Sequence, residues 1–435
     1  MAVISASTGS FSVKAYAGDN KTLLAFNFAD AASAKNLAGF TIQSTPPGQK
    51  PYYLLNTLRF EKPGDHAQEG TESPNASVNA PLQKFRWTHV PGTAHQGLQP
   101  ALGNYTYTVT PRFFDGQGHM IALDASRSAS VTIPVGPFRK GSLALGFTRG
   151  YMQSEAFTHH FGDKTPIQPA GKPLQFKTSA QAGTNNGQSF SFADVYSWMG
   201  STARQQVFAV LNKVLNDTTL HLDVFAYDLN EPDVLAIFLQ LAAQGRIRII
   251  LDSSKEHHTA DGSKAEDQFA ALFSKQAKSP AAIERGAFGR FSHDKIFIVS
   301  KNGAAQQVLT GSTNFSITGL YVNANHVLVF NDSTVANQYA QVFQESWKVL
   351  NGHSGVSTAT AKAFATNPLA MKPFAIESTT VPKMSITYSP HTASVTNVLL
   401  NGIATRIHGE ASKLHGNVLF AVMQLTGSET PSTRR

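Results

Sequence analysis

The amino-acid sequence predicts a multi-domain chain: an N-terminal all-β sandwich, then an α/β lobe, then the start of a second α/β lobe. Three observations carry that expectation. Residues 1–138 show period-two apolar alternation broken by Gly, Pro, Asn and Ser turn signals, without helical periodicity. From about residue 201, helical and strand periods alternate. Near the C-terminus a helix-then-strand run recurs at low identity. At 435 residues the chain also exceeds one ordinary core, so two or three domains are the natural number.

In the first segment, "LLAFNF" puts Leu24, Phe26 and Phe28 on one face of a strand. "NYTYTVTPRFF" runs into Asp115-Gly116 and then "GHMIAL", the pattern of a hairpin. "QKFRWTHV" and "SASVTIPVG" add two short strands. This spacing resembles the outline of a fibronectin type III module and predicts an adhesive or spacing role for residues 1–138. Residues 139–200, rich in Gly, Pro and Asn, read as linker and loops.

The α/β lobe is expected over 201–352. "TARQQVFAVLNKVLN" carries Val207, Leu211, Val214 and Leu215 at helical spacing, and "TLHLDVFAY" follows as a strand. "EPDVLAIFLQLAAQG" is a helix with Pro232 in its first turn and Gly245 past its end. The strand "RIRIILD", a helix near 263–276, the strands "HDKIFIV", "QVLTG" and "NHVLVFN", and a helix from Ser333 to Leu350 complete a sheet covered on both faces. Residues 353–383 read as linker. "EASKLHGNVLFAVMQL" then repeats the run "VLNKVLNDTTLHLDVFAYDL", so 384–435 reads as a partial second lobe whose open edge another chain or further sequence would complete.

Composition narrows the chemistry. A net charge of +8 favours anionic partners, whether phospholipid, nucleic acid or other phosphates. The chain has no cysteine, which excludes disulfides, thiol catalysis and Cys-ligated metal. No secretory signal is visible and no apolar run approaches bilayer-spanning length; any membrane contact is expected to be peripheral, and the compartment is left undefined.

The residues that point to chemistry are His293-Asp294-Lys295, the one H-x-K in the chain, and Gly311-Ser312-Thr313-Asn314 beyond the next strand. Side chains two positions apart on a strand share a face, so His293 and Lys295 project together into a cleft, and Asn314 on the neighbouring turn can join them. An imidazole, an ammonium and a carboxamide suit a phosphate: the histidine attacks phosphorus while the other two hold the non-bridging oxygens.

These residues resemble the phospholipase D superfamily, whose hallmark is H-x-K-x4-D followed by G-S-x-N. His293, Lys295, Gly311, Ser312 and Asn314 match it. The likeness extends over 200–350 and, more faintly, 384–425. It implies a phosphodiesterase acting through a phosphohistidine, with a second histidine protonating the leaving alcohol, and with no metal and no cofactor. It also implies two motifs meeting across a pseudo-twofold axis. With one H-x-K here, a homodimer is one way to supply the second. Phospholipid is the favoured substrate; a nuclease and an impaired phosphate-binding protein are the alternatives.

Two positions depart from the pattern. Ser300 stands where the motif has aspartate, and Asn325 where a third-strand acid would orient the nucleophilic imidazole. An amide oxygen can fix the tautomer but cannot stabilise an imidazolium as a carboxylate does. Elsewhere, Asp252 ends a strand where α/β proteins place functional groups. Glu256, His257 and His258 read as a solvated loop, as do His159 and His160. Tyr227 reads as a packed strand-end tyrosine, Trp198 and Trp347 as core, and Arg246 and Arg248 as surface charge or part of a positive field.

Overall fold

Alternating apolar residues build the first segment into two four-stranded antiparallel sheets. The structure, a computed structural model, describes residues 2–92, 95–97, 100–150, 155–288, 291–350 and 364–419. One sheet has the order β1 (Val3–Thr8), β2 (Phe11–Ala17), β3 (Thr22–Phe28), β6 (Arg86–His89). The other runs β5 (Tyr52–Tyr53), β4 (Leu37–Thr45), β7 (Gly103–Phe113), β8 (Ala129–Val135). Leu24, Phe26 and Phe28 point inward as expected, and they share one core with Phe40, Tyr105, Tyr107 and Ile133 of the opposite sheet. The hairpin expected around Asp115-Gly116 is reduced to a single bridge, Phe114 to Met120, because the Asp115 carboxylate accepts from the Gln117 and His119 amides and tightens the loop. The long partners of β7 are β4 and β8.

The α/β lobe carries an eight-stranded sheet. Its order is β15 (Ala282–Gly286), β14 (Ile247–Asp252), β13 (Leu220–Ala226), β16 (Lys295–Lys301), β17 (Ala304–Gly311), β18 (His326–Phe330), β10 (Leu143–Phe147), β9 (Phe138–Lys140). Strands β13, β14 and β15 run parallel, and the other pairings are antiparallel. Helices α2 (Phe192–Asn216), α3 (Pro232–Ala243) and α4 (Ala265–Gln276) cover one face, and α5 (Ser333–Leu350) covers the other. Each starts or stops for a local reason. Ser191 and Asp194 form a reciprocal cap on α2, which breaks at Ser201 where φ is 45°. Pro232 opens α3. Gly245 follows it at φ +73°, where a Cβ would lie 2.8 Å from the Ser279 carbonyl.

Three boundaries differ from the expectation. Residues 139–200 are not linker throughout: β10 pairs with β18 inside the main sheet, and α1 (Glu155–Phe161), the hairpin β11 (Gln181–Asn185) and β12 (Gln188–Ser191), and the first half of α2 lie on the lobe. "LALGF" is too short and too glycine-rich for its strand character to stand out. Asp19 welds the sandwich to this region, its buried carboxylate accepting from the Phe138 and Phe147 amides at 3.2 and 3.1 Å and from the Thr202 hydroxyl.

The described part of 353–383 is likewise packed. Phe364, Leu369, Ala370, Ile376 and Val381 join Phe343 and Leu350 in the second core; residues 353–363 lie outside the described residues. The second lobe is not assembled among the described residues. Met384–Ile386 pairs with Phe374–Ile376 as a hairpin on the first lobe, and the helix Ala393–Ala411 buries no residue. The strand expected after that helix falls largely on 420–435, outside the described residues. Among the described residues, no helix is long and apolar enough to cross a membrane.

Candidate functional site

Three strand ends converge at one edge of the sheet. Lys295 opens β16 and pairs with Ala226, the last residue of β13, so Tyr227 and Asp228 lie beside the approach to His293. Strand β14 runs parallel to β13 and ends at Asp252. Asp252 is fully buried, and its carboxylate accepts from the Ser292 amide at 2.6 Å, the Ser254 amide at 2.9 Å and the Ser254 hydroxyl. It therefore fixes the backbone one residue before the imidazole. That is its role here: a positioning acid.

His293 and Lys295 share a face, as their spacing demands. The His293 ring stands edge-on to Tyr227, centroids 4.4 Å apart at 75°, and the Lys295 ammonium lies 4.8 Å from the same ring centroid. The ammonium also donates to the His293 carbonyl at 2.6 Å. Lys295 is 5% exposed, and burial depresses its ammonium to about 8 against the pull of Asp294, Asp228 and Asp252. Partial burial and the neighbouring ammonium hold His293 below the ordinary imidazole value, which favours the neutral, nucleophilic ring.

A second imidazole also meets Tyr227. His257 meets that ring at 4.2 Å and reaches Glu266 at 3.2 Å. Burial opposes its charge, but the hydrogen bond and charge of Glu266, with Asp228 and Asp252, raise it overall. The solvated-loop reading is thus corrected for His257 and holds for exposed Glu256 and half-exposed His258, which pairs with Asp267 at 2.6 Å. Asp228, His257 and Glu266 offer ligand atoms within 4.8 Å of one another. The Lys295 charge beside Asp228 and the His257–Glu266 contact already balance these acids, so the cluster reads as an ion-pair network.

The glycine-serine turn is built as its sequence requires. Gly311 has φ +150°, and a Cβ there would come within 2.3 Å of the His326 carbonyl. Ser312 and Asn325 do meet: the Ser312 hydroxyl donates to Asn325 Oδ1 at 3.0 Å and lies 3.1 Å from His326 Nδ1. Asn325 does not orient His293. Its oxygen serves Ser312 and its amide donates to the Gly319 carbonyl at 2.8 Å. Asn314 sits on the same turn, which a bridge between Leu229 and Phe315 ties to the loop after β13. Its carboxamide oxygen is buried without a partner. Ser300 is displaced from the site: five residues along β16 from Lys295, it lies roughly 16 Å away at ordinary strand rise, which removes it from any supporting role.

Arg246 and Arg248 contribute no positive field here. Arg246 is buried on the carbonyls that end α2, and Arg248 pairs with Asp223 at 2.7 Å. Tyr227, read from the sequence as a packed strand-end tyrosine that could also line the cleft, is the wall both functional groups share. Asp228 and Glu266 were not singled out by the sequence, because they lie 38 positions apart, across α3, β14 and the loops around them, and no spacing rule links them.

Residues 211–347 match the family model described as the PLD-like domain of cardiolipin synthase. Among solved structures, the chain is similar to the phospholipase D family member Nuc from Salmonella typhimurium, at 19% identity over 33% of this chain and 86% of that one, with a TM-score of 0.27. NucT from Helicobacter pylori matches at 14% identity over 33% and 87% of the two chains, also with a TM-score of 0.27. Polyphosphate kinase from Porphyromonas gingivalis matches at 12% over 37% and 25%, with a TM-score of 0.28. Comparison with curated proteins found no match.

Proposed function

With residues 211–347 forming a PLD-like domain of the phospholipase D superfamily, we propose that this chain is a metal-independent phosphodiesterase. His293 is the nucleophile, and Lys295 and Asn314 hold the non-bridging oxygens. The observation that supports this reading is the shared Tyr227 wall, with the His293 ring and the Lys295 ammonium on one face of the strand start. An imidazole lone pair attacks phosphorus, the P–O bond to the leaving alcohol breaks, and a second imidazole protonates the departing oxygen. Water then attacks phosphorus and breaks the P–N bond, releasing the phosphomonoester and free histidine. A second copy of this chain supplies the second imidazole, and the β-sandwich, of fibronectin type III outline, acts as a spacing or adhesive module.

Phospholipid is the favoured substrate, since the family model that residues 211–347 match is that of a cardiolipin synthase domain. The test is hydrolysis of bis(p-nitrophenyl) phosphate, phosphatidylcholine vesicles and single-stranded DNA by the wild type and His293→Ala, with sedimentation to establish whether active material is dimeric. Turnover lost in His293→Ala supports the enzyme, and the preferred substrate separates lipase from nuclease. A second reading, a phosphate-binding protein without turnover, is favoured by one observation: among the described residues, no carboxylate hydrogen-bonds the His293 ring. Equal, low rates in both proteins would select it.

A further inference from the structure

Arg149 follows β10 into a cleft of about 290 Å³ between the β-sandwich and the lobe. Its amide donates to the Met199 carbonyl at 2.8 Å, and its guanidinium carbon stands 4.7 Å over the Trp198 ring. The half-buried guanidinium makes no hydrogen bond and no ion pair among the described residues, and its Nε is sealed from water without a partner. Burial pushes it below its ordinary range, and no carboxylate acts against that burial. Residues 93–94, 98–99 and 151–154, which border the lining residues along the chain, include no charged residue and no histidine. Asp19 is committed elsewhere, to the Phe138 and Phe147 amides and the Thr202 hydroxyl. Helix α2 brings three polar side chains to the cleft: Ser197 and Gln205 on either side of its break, and Ser201 at the break. None of the three has a side-chain hydrogen bond among the described residues. Pro100 and Leu102 of the sandwich supply an apolar wall.

We propose that this cleft binds a small organic carboxylate, with the Arg149 guanidinium on the carboxylate, Ser197, Ser201 and Gln205 as further donors, and Pro100 and Leu102 against the ligand's apolar body. Each feature selects the ligand. A half-buried guanidinium without an acid calls for an anion. Its stack on Trp198 fixes the plane of the fork, which matches the two-oxygen edge of a carboxylate. Arg149 is the one cation among the described lining residues, and a single charge suits a monoanion better than a phosphate dianion. His160, whose ring meets Trp198 at 5.3 Å, adds no charge at neutral pH: burial first, then His159 and Arg149, hold it below the ordinary imidazole value. The apolar wall rewards an acid with a carbon body over an inorganic ion. Clefts between domains are where small ligands are commonly held. The site is separate from the phosphate reading and does not depend on it.

Titration calorimetry of the full chain with benzoate, benzamide, acetate and dimethyl phosphate tests the chemistry. Benzoate should bind at least tenfold more tightly than benzamide, which keeps the shape and lacks the charge. It should bind several-fold more tightly than acetate, which lacks the apolar body. Arg149→Met keeps the stem over Trp198 and should lose tenfold or more, and Arg149→Lys, with the charge but not the fork, should recover only part of that loss. Gln205→Ala shortens an exposed side chain, so its melting temperature should match the wild type while its benzoate affinity falls several-fold. That pairing shows that loss of binding is not loss of fold. Dimethyl phosphate bound as tightly as benzoate would replace the carboxylate by a phosphodiester and overturn the assignment. Equal affinity for benzoate and benzamide, or unchanged benzoate affinity in Arg149→Met, would overturn the site itself.

Discussion

The Lys295 ammonium lies 4.8 Å from the Tyr227 ring centroid, buried to 5% exposure, and this placement sets its acidity at about 8. A charged lysine is needed to hold phosphate oxygens, so phosphate affinity and kcat/KM of the free protein should fall as pH rises through about 8. Lys295→Arg keeps its charge at all accessible pH, and it should abolish that alkaline fall while lowering overall affinity, because a planar fork does not fit a point-charge site. Inorganic phosphate titrated between pH 6.5 and 9.5 is the measurement. A flat profile for the wild type would remove Lys295 from the binding role.

Gly311 is held at φ +150° against the β18 backbone, with the His326 carbonyl 2.3 Å from where a Cβ would stand. Gly311→Ala should destabilise the lobe by roughly 1–3 kcal/mol from backbone strain alone, and more once the clash forces β17 and β18 apart. The contacts of Ser312 to Asn325 and His326 depend on that close approach. Urea unfolding of the variant should show a lower midpoint with an unchanged slope. A variant with wild-type stability would mean that the turn has freedom the geometry denies it.

The sequence made the sheet legible wherever local patterning dominates. The helices at Pro232–Ala243, Ala265–Gln276 and Ser333–Leu350 stand within a residue or two of their expected ends, because Pro232 and Gly245 punctuate one and apolar periodicity marks the others. The spacing of His293 and Lys295 announced their pairing, although β16 starts only at Lys295 and the bond from the Ser292 amide to Asp252 holds the segment that carries His293. What stayed hidden depends on long-range pairing. The contact of β10 with β18 joins residues far apart in the chain, and no local signal announces it. The same holds for the site: Asp228, His257 and Glu266 are assembled by the fold, while Asn325 turns to Ser312 rather than His293 for reasons only the turn's geometry supplies.

Arg246 illustrates how a charge can be read wrongly from spacing. Its guanidinium donates to the carbonyls of Val214 at 2.7 Å and Leu215 at 3.2 Å in the last turn of α2, and to those of Asp217 at 3.2 Å and Leu220 at 2.8 Å in the turn that leads into β13. Arg246→Met retains the stem but removes every donor. It should cost about 3 kcal/mol, since hydrogen bonds to a charged group and buried carbonyls are lost together. Phosphate affinity should be unchanged at temperatures where the variant is folded. A thermal melt with phosphate titration separates this capping role from the electrostatic one, which predicts weaker binding at unchanged stability.

Glu231 lies under the loop that follows β13, fully buried, where it caps α3 through the Val234 amide at 2.6 Å and accepts from the Tyr321 hydroxyl at 2.9 Å. Burial first, and the charge of Asp233 second, raise its carboxyl to about 7, against the Val234 amide, Arg204 and Tyr321. Unfolded, the same group titrates near 4.5. The folded state therefore binds the proton more tightly. Its contribution is fully present below about pH 4.5, shrinks as the unfolded chain ionises, and is lost as pH rises through about 7, a change on the order of 3 kcal/mol. Glu231→Gln has no proton to lose, so the difference in unfolding free energy between wild type and variant should move in the variant's favour by that amount between pH 4.5 and 7.5. Urea titrations at half-unit steps read that difference directly, and a difference independent of pH would show that Glu231 stays ionised in the folded protein and is held by Arg204.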